Sequence, residues 1–205
     1  MSLKKSPQPR QKTHKYGITG GIGSGKSYVC RSIEAAGYPV FYCDDEARRI
    51  IRTDAGVRAA LTALIGTSVY DEEGLPVKSV LSAYIRSGKE HADQVNAIVH
   101  PRVAEAFESW SRLQPSPAVF MECALLFESR FDRFVDTSIL VTAPLETRIS
   151  RIMNRDGASR QQALEWMALQ MPEEEKEQRA NYIINNDGVA EIAPQLQRII
   201  NNSYF

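Results

Sequence analysis

From Tyr16 onward, short apolar runs alternate with stretches of helical spacing. Tyr16 to Thr19 reads as a strand that enters a glycine-rich turn. Beyond the turn, Val29, Ile33 and Ala36 fall on one helical face, and Gly37 supplies the stop. Pro39-Val40-Phe41-Tyr42-Cys43 predicts a second strand, Ala118 to Cys123 a third, Ser138 to Thr142 a fourth and Tyr182 to Ile184 a fifth. Apolar runs bounded by helices belong to a parallel sheet covered on both faces, an α/β fold class. Residues 44–117 carry no clear strand. They read as helices built on Ala47, Ile50 and Ile51, on Val57, Leu61 and Leu64, on Val80, Leu81, Tyr84 and Ile85, and on Val103, Phe107 and Trp110. A turn at Asp71-Glu72-Glu73-Gly74 separates the second from the third. That insertion is too long for a plain crossover and predicts a helical subdomain. A second insertion follows the fourth strand. Pro144 suits a first helical turn, and the helix should run to about Arg155 and end at Asp156-Gly157. Ser159-x-x-Gln162 reads as a capping box, and Pro172 with Glu173, Glu174 and Glu175 as another helix start.

Composition narrows the function classes. The 205 residues hold 25 Lys+Arg against 25 Asp+Glu, and this balance excludes a general nucleic-acid binder. The zero is an average. Lys4, Lys5, Arg10, Lys12 and Lys15 give residues 1–15 a charge of +5, so the remainder carries −5. The leading 15 residues are rich in Lys, Gln, Pro and Ser and are expected to be a disordered basic tail. No apolar run approaches the roughly 18 residues of a membrane span, and the start lacks a signal peptide's apolar stretch. Cys30, Cys43 and Cys123 form no C-x-x-C pair, which fits a reducing, cytoplasmic compartment.

The chemistry concentrates at Gly20-Gly21-Ile22-Gly23-Ser24-Gly25-Lys26-Ser27, a match to G-x-x-x-x-G-K-[ST] with a strand before it and an amphipathic helix after it. This is the P-loop signature. Its glycines let backbone N–H groups turn toward phosphate oxygens at a helix N-terminus, so Gly21 through Tyr28 are candidate nucleotide-binding residues. Lys26 should reach the β- and γ-phosphates, and the Ser27 hydroxyl should ligate Mg²⁺. No Asn-Lys-x-Asp base-reading string of a GTPase is present. What remains is a small-molecule kinase of the nucleoside-monophosphate-kinase type. Arg148, Arg151 and Arg155 fall at i, i+3 and i+7 on one face of the second insertion, with Arg160 beyond. Charge-dense faces are often just solvated. Arginine without lysine here suits a lid that neutralises a transferring phosphoryl. Asp44, at the C-terminal end of the second strand, is the candidate base for an acceptor hydroxyl, with a helix cap as the plainer role. Asp45 is more simply a cap. Glu122 ends the third strand and is either a carboxylate of the Mg²⁺ hydration shell or a structural support of the P-loop.

Taken together, these segments resemble the dephospho-CoA kinase family. Residues 17–27 resemble its P-loop. Cys43-Asp44-Asp45-Glu46-Ala47-Arg48 resembles its D-A-D-x-I-A-R segment, and Ile98-Val99-His100-Pro101 its hydrophobic-His-Pro motif. Residues 122–128 resemble D-x-P-L-L-F-E, residues 151–156 R-x-x-x-R-D, and residues 180–188 A-D-x-V-I-x-N-x-G. The likeness spans about residues 15–200, in order, and only the combination is specific. The chain departs at Tyr28, Tyr42, Glu122, Ala124 and Asn181, where the family usually carries Thr, Asp, Asp, Pro and Asp. The resemblance implies a P-loop NTPase three-layer α/β/α core (16–45, 116–144 and 181–205), a helical CoA-binding insertion (46–115) and a helical lid (145–180). It implies phosphorylation of the ribose 3′-hydroxyl of dephospho-CoA by Mg-ATP, with Asp44, Lys26, Arg151 and Arg155 in catalysis. It further implies Asp44, His100, Pro101 and Leu126 at the substrate, Arg148, Gln170 and Asn185 at the nucleotide, and Ser27 and, through water, Glu122 at the metal. Nucleic acid and membrane are not expected partners, and the expected state is a monomer or weak homo-oligomer.

Overall fold

A computed structural model describes residues 13–203. Five strands form one parallel sheet: β1 (His14–Thr19), β2 (Val40–Tyr42), β3 (Ala118–Glu122), β4 (Thr137–Thr142) and β5 (Tyr182–Asn185), in the order β2-β3-β1-β4-β5. All five expected strands form. The central β1 is flanked by β3 (Gly17 opposite Met121) and β4 (Gly17 opposite Ser138). β3 is buried along its whole length, as a strand covered on both faces must be. Alternation along the strands then sorts side chains between two cores. Val119 and Met121 face one, with Phe41, Cys43, Leu126 and Phe131; Ala118 and Phe120 face the other, with Tyr16, Ile18, Ile139 and Ile184.

The first core is covered by α2 (Cys43–Thr53), α3 (Ala55–Ile65) and α5 (Lys89–Leu113), with α4 (Lys78–Arg86) outside them. The second core is covered by α1 (Lys26–Ala35) and α9 (Ile192–Asn202). The long segment after β2 is therefore helical, as expected, and the turn at Asp71 closes with Gly74 N–H donating to Asp71 O at 2.9 Å. After β4 come α6 (Leu145–Asp156), α7 (Arg160–Ala168) and α8 (Glu173–Arg179). Gly157 takes φ 66° directly after α6, and the capping box of Ser159 and Gln162 forms in full. A third small core joins Ile149, Ile152 and Ala163 and receives Ile22 from the glycine-rich turn.

Three expectations shift. Residues 1–12 of the basic tail lie outside the described residues, whereas His14 and Lys15, assigned to that tail, are part of β1. Lys15 bonds Glu108 at 2.7 Å. The helix expected on Val103, Phe107 and Trp110 begins earlier, at Lys89, so His100 and Pro101 lie inside the 25-residue α5. A proline there removes one i→i−4 bond, to the Ala97 carbonyl, which a long helix buried along Val95, Val99, Val103 and Phe107 tolerates. Finally, α2 begins at Cys43, so Asp44 and Asp45 lie in its first turn. The N-terminal cap position is Tyr42, without a side-chain bond.

Candidate active site

The P-loop joins β1 to α1, so the N–H groups of the first turn of α1 point out over the sheet's C-terminal edge, where anions are favoured. Two glycines are required by contact as well as by conformation. Gly23 has φ 79°, and a Cβ there would lie 2.6 Å from the Arg148 carbonyl oxygen. Gly25 has φ 91° and faces the Asn186 amide where a side chain would go. The turn is thus held from outside by groups that leave no room for a side chain.

Those groups are specific. Ile22 N–H donates to Gln170 Oε1 at 2.7 Å, and Ile22 O accepts from Arg148 Nε at 3.1 Å. Arg151 donates to Gly23 O at 3.3 Å, Ser24 O at 3.1 Å and Asn186 O at 3.0 Å. Asn186 Nδ2 donates to Ser24 O at 2.8 Å. Arg148, itself buried, also pairs with Glu173 at 2.9 Å. The backbone carbonyls of residues 22–24 are drawn outward by these donors. Ile22 N–H is used by Gln170 and Ser24 N–H by the Gly21 carbonyl, which leaves the N–H groups of Gly23 and of the start of α1 to face a phosphate.

The expected arginine cluster divides at this point. Arg148 and Arg151 meet the P-loop; Arg155 lies on Asp156 at 2.8 Å and Arg160 on Glu146 at 2.6 Å. Sequence spacing put three arginines on one face but gave no sign that the last turn would find its own acid.

Lys26 Nζ donates to Gly20 O at 2.8 Å. Burial is the largest influence on its ammonium and lowers its pKa; the charges of Glu122 and Asp44 act the other way. Glu122, buried at the end of β3, is raised by burial above the ordinary carboxylate value, and Lys26 partly offsets the rise. Asp44 is exposed at the start of α2. The register Tyr42 opposite Glu122 brings the ends of β2 and β3 side by side, so both carboxylates act on one lysine. One step further on, the buried Cys43 thiol is raised by its hydrogen bond with Cys123 and by burial, and it remains a thiol.

Other expected site residues lie elsewhere. Leu126 is fully buried, and its methyls close on the open face of Gly17, so it packs the core. His100 stands edge-on to Phe131 at 5.2 Å, and burial lowers its pKa. Pro101 lines a groove of about 340 Å³ with Ala104, Glu108, Arg133 and Phe134. Glu108 pairs with Lys15, at the opposite end of β1 from the P-loop. Asn185 bonds Asp187 and Gln195. Its neighbour Asn186 is the one that reaches the P-loop. A period of two from the buried Ile184 identifies Asn186 in the sequence. Glu173 and Lys176 were legible only as members of a charged run.

No group of three His, Cys, Asp or Glu that would hold a metal occurs among the described residues. Mg²⁺ keeps several waters and binds through one or two protein groups plus substrate phosphates, so Ser27 beside Lys26, with the Glu122 carboxylate near, is a fitting donor set.

Comparison with known proteins agrees with this geometry. The family model Dephospho-CoA kinase matches residues 15–191. A Bacteroides fragilis dephospho-CoA kinase is 42% identical over 91% of both chains. The crystal structure of TT1252 from Thermus thermophilus has a TM-score of 0.82 and 33% identity over 94% of this chain and 98% of its own. A Campylobacter jejuni dephospho-CoA kinase, at 23% identity and TM-score 0.66 over 91% and 95%, shares the fold.

Proposed function

The chain belongs to the dephospho-CoA kinase family, and we propose that its P-loop site transfers the γ-phosphoryl of ATP to the ribose 3′-hydroxyl of dephospho-CoA. The products are coenzyme A and ADP, the last step of coenzyme A synthesis. The observation that carries this reading is that Lys26 lies under the joint influence of Asp44 and Glu122 while arginines hold the P-loop from behind. One basin then contains a phosphate cation and an acceptor-side carboxylate.

In the proposed step, the 3′-oxygen forms a bond to the γ-phosphorus as the bond to the β,γ-bridging oxygen breaks. The hydroxyl proton passes to Asp44, and the bridging electron pair leaves on ADP. Lys26 and the P-loop N–H groups take the β- and γ-oxygens; Arg151 keeps those N–H groups aimed. Arg148 and Gln170 fix Ile22 at the edge of the nucleotide site, and Asn185 is proposed near the adenine, on the β5 side. Bound Mg²⁺ would supply positive charge at the β- and γ-oxygens, held by Ser27 and, through water, Glu122. Arg155 reaches the transferring group only by leaving Asp156. Residues 46–115 form the proposed substrate domain, with His100 and Pro101 shaping its wall, and 145–180 the lid.

Among the described residues no helix is long and apolar enough to cross a membrane, and the three cysteines are buried and free. Both facts support a cytoplasmic location. ADP release, followed with ATP, Mg²⁺ and a panel of dephospho-CoA, adenosine and pantetheine, tests the assignment. Turnover with dephospho-CoA alone is expected. Turnover no greater than with the other two would overturn it.

A further inference from the structure

Lys176 has no place in the reaction as described so far. It lies on α8 and is 0% exposed. Among the described residues its ion-pair partner is Glu128, whose Oε1 is 3.3 Å from Nζ. That approach lacks hydrogen-bond geometry, so the ammonium donates no hydrogen bond. An ammonium has three donors, and burying it is costly unless they are matched. One loosely aligned carboxylate is a poor return for that cost in a merely structural pair.

Its position points to a use. Glu128 follows β3, and β3 lies between β1, which carries the P-loop, and β2, which leads to Asp44. Glu128 therefore ties Lys176 to the segment after β3, on the acceptor side, while the two ends of α8 are tied to Arg148 and, through Asn181, to Ser138 of β4. From there Lys176 is near enough for its charge to oppose that of Lys26. The start of the same segment is fixed to the P-loop by Gln170 on Ile22 and by Glu173 on Arg148. Two buried ammonium groups repel each other. A polyanion between them turns that repulsion into a clamp.

We propose that Lys176 is a second phosphate-binding cation of this site, meeting the γ-phosphate of ATP opposite Lys26 from the acceptor side, with Glu128 as its positioning residue. This rests on the reading of the site as an ATP-dependent kinase. Lys26 would hold the phosphoryl group at its origin, and Lys176 would hold it as it moves toward the hydroxyl near Asp44.

The test uses the full chain as Lys176→Met, Lys176→Arg and the double variant Lys176→Met/Glu128→Gln, which leaves no buried charge unpaired. Melting temperature, affinity for Mg²⁺ with ADP or a non-hydrolysable ATP analogue, and turnover with dephospho-CoA are measured for each. A lost charge-assisted phosphate contact weakens binding by roughly tenfold or more. The double variant is therefore expected to melt near wild type, to bind the ATP analogue about tenfold more weakly, and to bind ADP within about twofold of wild type. Lys176→Arg should recover most of the analogue affinity and of kcat. A double variant that folds and discriminates ATP from ADP as wild type does would overturn the proposal. So would equal losses for both nucleotides. The nucleotide readout needs no acceptor, so wild type that binds the analogue but does not phosphorylate dephospho-CoA would defeat the substrate assignment alone.

Discussion

The two sides of the P-loop are built differently. On the side of α6 and α8, the backbone of residues 22–24 is held by Gln170, Arg148, Arg151 and Asn186 through bonds of 2.7–3.3 Å. On the side of β2 and β3, neither Asp44 nor Glu122 has a hydrogen bond or ion pair of its own among the described residues. Apolar packing of Phe41, Cys43, Cys123 and Leu126 supports them from below. The first side is pre-organised in its backbone, with the carbonyls of residues 22–24 already matched, while Lys176 Nζ on α8 donates no hydrogen bond. The second keeps its carboxylates available for a substrate and a hydrated metal. A preformed phosphate cradle beside an unsaturated acceptor side is what in-line phosphoryl transfer requires, because charge must be fixed where the phosphate starts and exchanged where it arrives.

The largest effect should come from the acceptor side. Asp44→Asn keeps the shape of an exposed side chain in the first turn of α2 and removes the proposed proton acceptor. Loss of a positioned general base costs about 10²–10⁴-fold, so kcat should fall by roughly three orders of magnitude while ATP affinity stays within about twofold. Steady-state kinetics and nucleotide titration separate these readouts. Unchanged kcat would remove Asp44 from the chemistry and erase the contrast between the sides.

Arg151 tests the other side. Arg151→Ala removes donors from three backbone carbonyls at once. The Gly23 carbonyl would then lose its donor, and the Ser24 carbonyl would keep only Asn186. A drop of about 10²-fold in kcat/KM is expected, the scale of losing one aimed oxyanion donor, with the KM for ATP rising. Arg151→Lys should recover little, because a single ammonium cannot span three acceptors as a planar fork does. Full recovery with Lys would show that charge matters here and geometry does not.

The sheet and most helices were legible because apolar runs and helical spacing are local signals. The five strands, the capping box at Ser159 and the stop at Gly157 all follow from a few neighbouring residues. The P-loop was legible for the same reason. The pairings that hold it were not: Gln170 accepts from Ile22 N–H, Glu173 accepts from Arg148, and Asn186 donates to the Ser24 carbonyl across 148, 25 and 162 residues respectively, and only the fold decides which polar side chain meets which group. The start of α5 at Lys89 was not legible, because proline usually starts a helix, whereas here the burial of α5 on either side of Pro101 overrides that preference. The packing role of Leu126 was not legible either, because only the fold shows that this apolar residue closes the core over Gly17.

Glu122 gives a smaller, pH-dependent effect. Burial raises its carboxyl, so the folded chain holds that proton more tightly than the unfolded chain. Its contribution to stability is therefore present at low pH and lost as pH rises through the folded value. Glu122→Gln, which mimics the protonated form, should melt higher than wild type at pH 8, with the gap closing toward pH 4. A metal-shell role has the opposite dependence. Wild-type turnover should fall with acidification at a higher pH than an ordinary carboxylate would impose, and Glu122→Gln should need more Mg²⁺ at every pH. A variant with unaltered Mg²⁺ dependence would leave Glu122 as a support of the P-loop only.

The smallest effect belongs to Arg160, and its smallness matters to the contrast. Arg160 and Glu146 are both exposed, and their short bonds join two long side chains that water and salt reach freely. Exposed pairs lose to screening and side-chain entropy most of what their charges gain. Arg160→Ala should therefore leave kcat and KM within about twofold, since surface changes away from a site rarely do more. Melting curves at low and high salt should coincide with wild type. Arg148 and Arg151, on the same insertion, differ in having found P-loop carbonyls and, for Arg148, the half-buried carboxylate of Glu173. A tenfold loss of turnover in Arg160→Ala would mean that the outer turns of the insertion also reach the phosphates. The pre-organised side would then extend beyond Arg148 and Arg151, and the Glu146 pair would be a resting place rather than a destination.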